Sequence, residues 1–204
     1  MAIDKYIERY LDIGKCLEAG KVLVVYGPRR CVKTTLLQKY METSNKSYIF
    51  YKGDDLRTQN SFSQAIEKVL IENVGNNEIL IIDEAQMIPN IGASLKLLVD
   101  AMPKLFVVIT GSSAFELAGQ IGEPLTGRKI TKYILPISIS EYISQSNTQK
   151  KEISENLEDL LIYGDYPNSL TSESKENKII FLTELVDSYL LKDILAFKDI
   201  KGSL

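Results

Sequence analysis

The sequence contains no histidine and only two cysteines, Cys16 and Cys31, among its 204 residues. Without histidine the chain cannot form a histidine-based zinc site or a nucleophilic triad that uses an imidazole base. Two cysteines cannot build a disulfide framework, which favours a reducing compartment and predicts a cytoplasmic protein. Any chemistry must therefore depend on carboxylates, hydroxyls, lysine or arginine.

Long hydrophobic runs and strong charge of one sign are also missing. No apolar stretch approaches the length of a membrane span, and residues 1–5 lack the hydrophobic region of a signal peptide. The formal net charge of −3 predicts no general attraction to nucleic acid, although a local basic site stays open. The length suits one full α/β domain plus an accessory segment.

The most informative feature of the sequence is a strand–loop–helix pattern near the amino terminus. After an apolar strand at residues 21–26, Gly27 and Lys33-Thr34 follow the spacing of the phosphate-binding P-loop, G-x-x-x-x-G-K-[ST]. Such a loop wraps backbone N–H groups around anionic oxygens. Lys33 would reach the β- and γ-phosphates, and the Thr34 hydroxyl would hold Mg²⁺. The predicted cofactor-binding stretch is Gly27, Pro28, Arg29, Arg30, Cys31, Val32, Lys33, Thr34 and Thr35.

One position of the loop departs from the pattern. Val32 stands where a glycine normally precedes the lysine. Glycine serves there because the backbone approaches phosphate closely or adopts angles that a Cβ disfavours, and valine is branched at Cβ. Strain of about 1–3 kcal/mol would weaken nucleotide binding roughly tenfold to several-hundredfold.

A second nucleotide signature is the apolar strand at residues 79–82, which is followed by Asp83 and Glu84. An aspartate at the carboxyl end of a buried strand can hold Mg²⁺ beside the P-loop threonine, so Thr34 and Asp83 are the predicted metal ligands. The neighbouring glutamate can orient and polarise the attacking water. Alone, such a pair is consistent with a solvated strand end, but its order after the loop favours a nucleotide site.

Two further residues have two interpretations each. Ser112 follows a buried strand at residues 104–110, where its hydroxyl, or less favourably that of Thr110, could sense the γ-phosphate or attacking water, or could cap a helix. Arg128 could neutralise charge on the transferring phosphoryl group, in cis or across a subunit interface, or form a surface ion pair. The predicted catalytic residues are Glu84, Lys33 and Arg128.

Strands alternate with helices and then give way to helices alone, which predicts an α/β domain with a small helical appendage. The predicted division is an N-terminal helix in residues 1–20, a P-loop core in residues 21–137 and a helical appendage in residues 138–204. Further helices are predicted over residues 61–74, in a short stretch around residue 115, and over residues 175–197. The last presents an apolar arc wider than one packed face needs, which predicts self-association or a separate partner chain.

Several motifs together carry a family resemblance. Gly-Pro-Arg-Arg-x-x-Lys-Thr-Thr from Gly27, Ile-Ile-Asp-Glu-Ala-Gln from Ile81, Ile-Thr-Gly-Ser-Ser from Ile109 and Thr-Gly-Arg from Thr126 resemble the prokaryotic AAA-like P-loop ATPases of the AAA_14 type. The resemblance implies a P-loop NTPase three-layer sandwich with a five-stranded parallel sheet, in which another strand separates the P-loop strand from the Asp83 strand. It implies ATP and Mg²⁺ as cofactors.

The resemblance also implies that relatives continue into a winged-helix-like segment and a DUF4143-like C-terminal domain, so this chain would be a truncated product or half of a split protein. Two functions follow from the sequence. One is an Mg²⁺-dependent ATPase that acts as a molecular switch. The other is a degenerate, non-catalytic P-loop module that acts through protein–protein contacts, and Val32 is the reason to consider it.

Overall fold

A computed structural model of the chain describes residues 6–112, 121–145 and 150–187. Its centre is a parallel five-stranded sheet in the order β2-β3-β4-β1-β5. The strands are β1 (Val22–Tyr26), β2 (Tyr48–Lys52), β3 (Ile79–Asp83), β4 (Phe106–Gly111) and β5 (Lys129–Tyr133). Strand β4 lies between β1 and β3, which confirms the expected insertion of a strand between the two signature strands.

The helices of the described residues are short to medium in length. They are α1 (Ile13–Cys16), α2 (Lys33–Thr43), α3 (Leu56–Ser63), α4 (Glu67–Val74), α5 (Ile91–Ala101), α6 (Ile139–Gln145), α7 (Lys150–Tyr163), α8 (Pro167–Thr171) and α9 (Lys175–Leu185). A single 3-10 turn, Ala85–Met87, follows β3. Every helix within the described ranges is too short or too polar to cross a bilayer.

The three central strands β1, β3 and β4 are largely apolar because both faces of the sheet are covered there. Val22 and Val24 of β1 pack in one cluster with side chains of α3, α4 and α5. Leu23 and Val25, the alternate residues, pack in a second cluster with α1 and α2. Successive side chains of a strand point to opposite faces, so these two clusters are the two interfaces of a three-layer α/β sandwich. The predicted fold class is confirmed.

The chain divides into two compact units. The sheet unit comprises Leu11–Pro28 and Val32–Ile134. The helical unit comprises the described residues of Met1–Tyr10 and Leu135–Leu204, together with Arg29–Cys31 from the P-loop. Each unit is built from segments that are separate in the sequence. The predicted three-part domain division stays a prediction.

The predicted N-terminal helix is wrong over most of its length. Of residues 6–17, only Ile13–Cys16 is helical, and Asp12 caps that turn by accepting a hydrogen bond from the backbone of Lys15. Before it, the Tyr10 backbone N–H donates to the Glu141 carboxylate at 2.8 Å. A tertiary hydrogen bond therefore takes a donor that a helix would use internally.

The predicted helix at residues 61–74 is two helices. Asp55 caps the first by accepting from the Arg57 backbone, so α3 begins earlier than expected. Ala65 then adopts a left-handed backbone with φ of 49°, which ends that helix before α4 begins. The helix predicted over residues 175–197 is observed as Lys175–Leu185, and its residues beyond 187 lie outside the described part, as does the short helix expected near residue 115.

Candidate functional site

The loop after β1 begins with a glycine that no larger residue can replace. A Cβ at Gly27 would lie well inside van der Waals contact of the Ile134 carbonyl oxygen. The chain at Ile134 is held there because its N–H donates to the Tyr26 carbonyl at 2.7 Å. Gly27 therefore lets the loop leave the sheet beside the continuation of β5.

Val32 occupies the left-handed region, with φ of 56° and ψ of 31°, directly before α2. Its carbonyl accepts the first helical hydrogen bond, from Leu36 N at 2.9 Å. The N–H groups of the first helical turn have no intrahelical acceptor and can bind an anion. The backbone at this position has the conformation that favours glycine, and a β-branched residue carries strain in it.

Lys33 is buried, with 5% of its surface exposed, and its ammonium group turns into the loop. The Nζ atom donates to the Gly27 carbonyl at 2.8 Å and to the Pro28 carbonyl at 2.9 Å. Phosphate oxygens are charged and therefore stronger acceptors than these carbonyls. The ammonium group can exchange one for the other without leaving the loop. Thr35 lies in the same first turn of α2.

The two signature motifs meet at Asp83, which is 5% exposed at the end of β3. The Thr34 hydroxyl donates to Asp83 Oδ2 at 2.6 Å. The buried Thr110 hydroxyl, on β4, donates to Asp83 Oδ1. Both carboxylate oxygens are thus fixed by hydroxyl groups from neighbouring elements, and the side chain presents its charge toward the start of α2.

Glu84 follows in a left-handed conformation, with φ of 54°. Its backbone N–H donates to the Thr110 hydroxyl at 3.0 Å, and its carboxylate accepts a hydrogen bond from the Gln86 amide. The same amide nitrogen donates to Ser112 Oγ at 2.9 Å. A Cβ at Gly53 would collide with the Glu84 carbonyl, so glycine at the end of β2 permits this turn.

The oxygen ligands at this edge suit Mg²⁺. Thr34 and Asp83 offer a hydroxyl and a carboxylate within hydrogen-bond distance of each other, and oxygen is the ligand atom that Mg²⁺ prefers. The described residues contain no group of three or more histidine, cysteine, aspartate or glutamate side chains that could hold a metal. An ion here would therefore complete its shell with water and phosphate, which is the usual habit of Mg²⁺.

Arg29, Arg30 and Cys31 group with the helical unit rather than with the rest of the loop. Arg30 Nη2 lies 3.1 Å from Glu184 Oε2 on α9, and its guanidinium is 5.2 Å from the centroid of the Phe181 ring. Cys31 is buried, and its carbonyl accepts from Arg9 Nη1 at 3.5 Å. The loop arginine Arg30 is therefore tied to the last described helix.

Arg128 lies apart from all these residues. Its carbonyl accepts from Val22 N, at the amino end of β1, whereas the P-loop follows the carboxyl end of that strand. The separation along the strand is roughly 15 Å. Its side chain pairs with Asp100, with Nε 2.7 Å from Oδ1, at the exposed surface. The geometry contradicts the cis role and matches the surface ion pair, while action across a subunit interface stays a prediction.

The sequence interpretation does not predict the contacts of one residue of the site and misses another. Thr110, the second hydroxyl considered for the γ-phosphate, binds Asp83 and the Glu84 backbone. Gln86 was not considered, although it is polar and only 6% exposed. Its position two residues after the acidic pair was a signal, because a buried amide next to a reactive carboxylate needs a partner.

A family model and several curated proteins match this chain. A family model, AAA_14, described as an AAA domain, matches residues 19–143. The protein MJ1544 of Methanocaldococcus jannaschii is 26% identical, and the alignment covers 97% of this chain and 47% of that protein. A protein of Haemophilus influenzae is 25% identical over 85% of this chain and 46% of its own length.

Two solved structures match this chain at low identity. The Walker-type ATPase PABY2304 of Pyrococcus abyssi is 16% identical with a TM-score of 0.48, and the match covers 86% of this chain and 70% of that one. A katanin structure from a study of its self-assembly has a TM-score of 0.45 at 16% identity, with 90% and 63% covered. The chain spans about half the length of the curated relatives it matches.

Proposed function

This chain belongs to the AAA_14 family of AAA domains, and we propose that it binds ATP with Mg²⁺ and hydrolyses it as a molecular switch. The observation that carries the proposal is the 2.6 Å hydrogen bond between Thr34 and Asp83. It joins the P-loop helix to the acidic strand, and these two elements must meet for phosphoryl transfer from a nucleotide.

Each residue has a role that its chemistry permits. Lys33 would neutralise the β- and γ-phosphates, while the N–H groups at the start of α2 bind their oxygens. Thr34 and Asp83 would hold Mg²⁺, which supplies charge neutralisation on the phosphates when it is bound. Glu84 would accept the proton of the attacking water on a carboxylate oxygen, and Ser112 would contact the γ-phosphate.

The proposal extends to assembly. Arg128 is exposed at the opposite edge of the sheet, so it would serve catalysis only in a neighbouring subunit. An arginine supplied by a neighbouring molecule can stabilise the transferring phosphoryl group. We include a homo-oligomer, or a separate partner chain on the helical unit, as part of the proposed function.

One observation favours the alternative, a non-catalytic module that acts through protein contacts. Val32 is β-branched and holds a left-handed backbone at the point where the loop must present its N–H groups. Relaxation of this strain would displace those groups and reduce phosphate binding. The retained Lys33, Thr34, Asp83 and Glu84 favour the enzymatic function over this alternative.

The test is phosphate release from ATP by the purified chain in the presence of Mg²⁺. We expect slow turnover that is abolished in Lys33→Ala. Glu84→Gln should lower turnover by about 100-fold or more and leave ATP affinity nearly unchanged, because it keeps the shape but removes the proton acceptor. The matched control is Glu78→Gln, a surface glutamate paired with Lys46 at the other edge of the sheet.

Two outcomes would contradict the proposal. Turnover in the parent no greater than in Lys33→Ala would favour the non-catalytic module. Equal losses of affinity and turnover in Glu84→Gln would assign Glu84 a structural role.

A further inference from the structure

One amide connects two residues of the proposed catalytic site. Gln86 lies in the 3-10 turn after β3 and is 6% exposed. Its Nε2 atom donates both to the Glu84 carboxylate and to Ser112 Oγ, the second at 2.9 Å. We propose that Gln86 is a positioning residue for hydrolysis, which aims the Glu84 carboxylate and sets it relative to the Ser112 hydroxyl.

The chemistry of the three groups requires this arrangement. An ionised carboxylate only accepts hydrogen bonds, so the nitrogen end of the amide must face Glu84. The amide nitrogen carries two hydrogens, and the second is directed to Ser112 Oγ. Because that oxygen accepts from the amide, the Ser112 hydroxyl hydrogen can be donated to a phosphate oxygen. The Gln86 side chain alone would then fix the position of the Glu84 carboxylate relative to a γ-phosphate bound at Ser112.

The backbone and the side chain of Glu84 are held by different residues. Thr110 binds the Glu84 N–H, which fixes the left-handed turn. Among the residues that the structure describes, Gln86 supplies the side-chain hydrogen bond that aims the carboxylate. A general base must lie within hydrogen-bond reach of the water it activates, and a displacement of about 1 Å can cost about 100-fold in rate. Removal of the Gln86 amide should therefore affect the chemical step more than nucleotide binding.

The inference rests on the proposed function, and its test uses two variants of the full chain. Gln86→Met keeps the length of the side chain without a donor, and Gln86→Glu keeps its shape but places a second carboxylate against Glu84. We expect each to lower kcat for ATP by about 10- to 100-fold, with KM and the calorimetric Kd for Mg²⁺-ATP changed less than about threefold. The control is Asn77→Leu, which removes an amide hydrogen bond to the Val74 carbonyl at the opposite edge of the sheet.

A double-mutant cycle separates action through Glu84 from an independent effect. In a Glu84→Gln background, measured in single-turnover experiments, Gln86→Met should cause no further loss, because the carboxylate it positions is gone. A loss as large as in the parent background would overturn the inference. So would an active Gln86→Met whose melting temperature alone falls, as expected for Asn77→Leu.

Different results would refute the ATPase activity and the positioning role of Gln86. An active parent with fully active Gln86→Met and Gln86→Glu overturns the positioning role and leaves the proposed function intact. A parent with no turnover above Lys33→Ala overturns the proposed function and the positioning role with it. If Gln86→Met does not fold, the isosteric Gln86→Glu decides by the same kcat and KM criteria.

Discussion

Val32→Gly is the substitution that most directly probes the unusual loop. Val32 holds φ of 56°, a left-handed conformation, without a side-chain cap for α2. A bulky residue in this region carries strain of about 1–3 kcal/mol. Glycine removes the strain but lowers the free energy of unfolding by about 0.4–1 kcal/mol, because the unfolded chain gains conformational freedom. The net effect on the free energy of unfolding is a gain of roughly 0–2.5 kcal/mol.

The same strain affects nucleotide binding through the population of the competent loop. If the loop with Val32 spends part of its time in a relaxed conformation that cannot bind phosphate, the apparent affinity for ATP falls in proportion to the fraction of molecules whose loop can bind. Each 1.4 kcal/mol corresponds to about tenfold in affinity, so we expect Val32→Gly to bind Mg²⁺-ATP about tenfold more tightly. Calorimetric titration measures the affinity, and chemical denaturation without nucleotide measures the stability.

Ala65→Gly provides the matched control. Ala65 has φ of 49° between α3 and α4, so glycine should relieve a similar backbone strain outside the loop. The control should therefore alter stability without tightening ATP binding. Should Val32→Gly bind ATP no more tightly than the parent, strain at this position does not limit affinity and the reasoning is refuted.

Two further predictions concern the helical unit. Burial opposes ionisation of Glu141, but hydrogen bonds from the Tyr10 and Ser138 backbones and from Arg9 hold the pKa of its carboxyl below the ordinary 4.5. The ionised carboxylate therefore contributes its full stabilisation of the fold above pH 4.5, and this contribution is lost as the pH falls through the lowered pKa. Glu141→Gln should lower the free energy of unfolding by about 3 kcal/mol at neutral pH, because Arg9 is left buried without its carboxylate. It should also flatten the dependence of stability on acid pH measured by urea denaturation, and an unchanged pH dependence would refute this. Exposed Leu161 on α7 and Ile180 on α9 predict concentration-dependent self-association in light scattering, reduced when both become glutamate, and a parent that stays monomeric at all concentrations would contradict it.

Most of the fold follows from patterns that are local in the sequence. The apolar runs of β1, β3 and β4 specify strands buried on both faces, and a parallel sheet with covering helices is the arrangement that buries them. The order of the strands required more than periodicity. The family resemblance supplied one part of that order, a strand between β1 and β3, and the pairings of β4 with both strands confirm it.

The parts that were missed depend on contacts between residues far apart in the chain. The extended segment before α1 is held by Glu141, more than 130 residues away, which no local pattern reveals. Arg128 is of the residue type that a catalytic arginine requires, but the topology places it at the edge of the sheet opposite the P-loop. Gln86 lies beside Glu84 in sequence, yet its link to Ser112 exists only because β3 and β4 are neighbours.

The central claim is that the loop with Val32 still binds nucleotide, and calorimetric titration of the unmodified chain with Mg²⁺-ATP tests it most directly. The account predicts saturable binding to one site at micromolar to submillimolar ATP, which is lost in Lys33→Ala because the buried ammonium that neutralises the phosphates is gone. Absence of binding at millimolar ATP, or binding unaffected by Lys33→Ala, would contradict it.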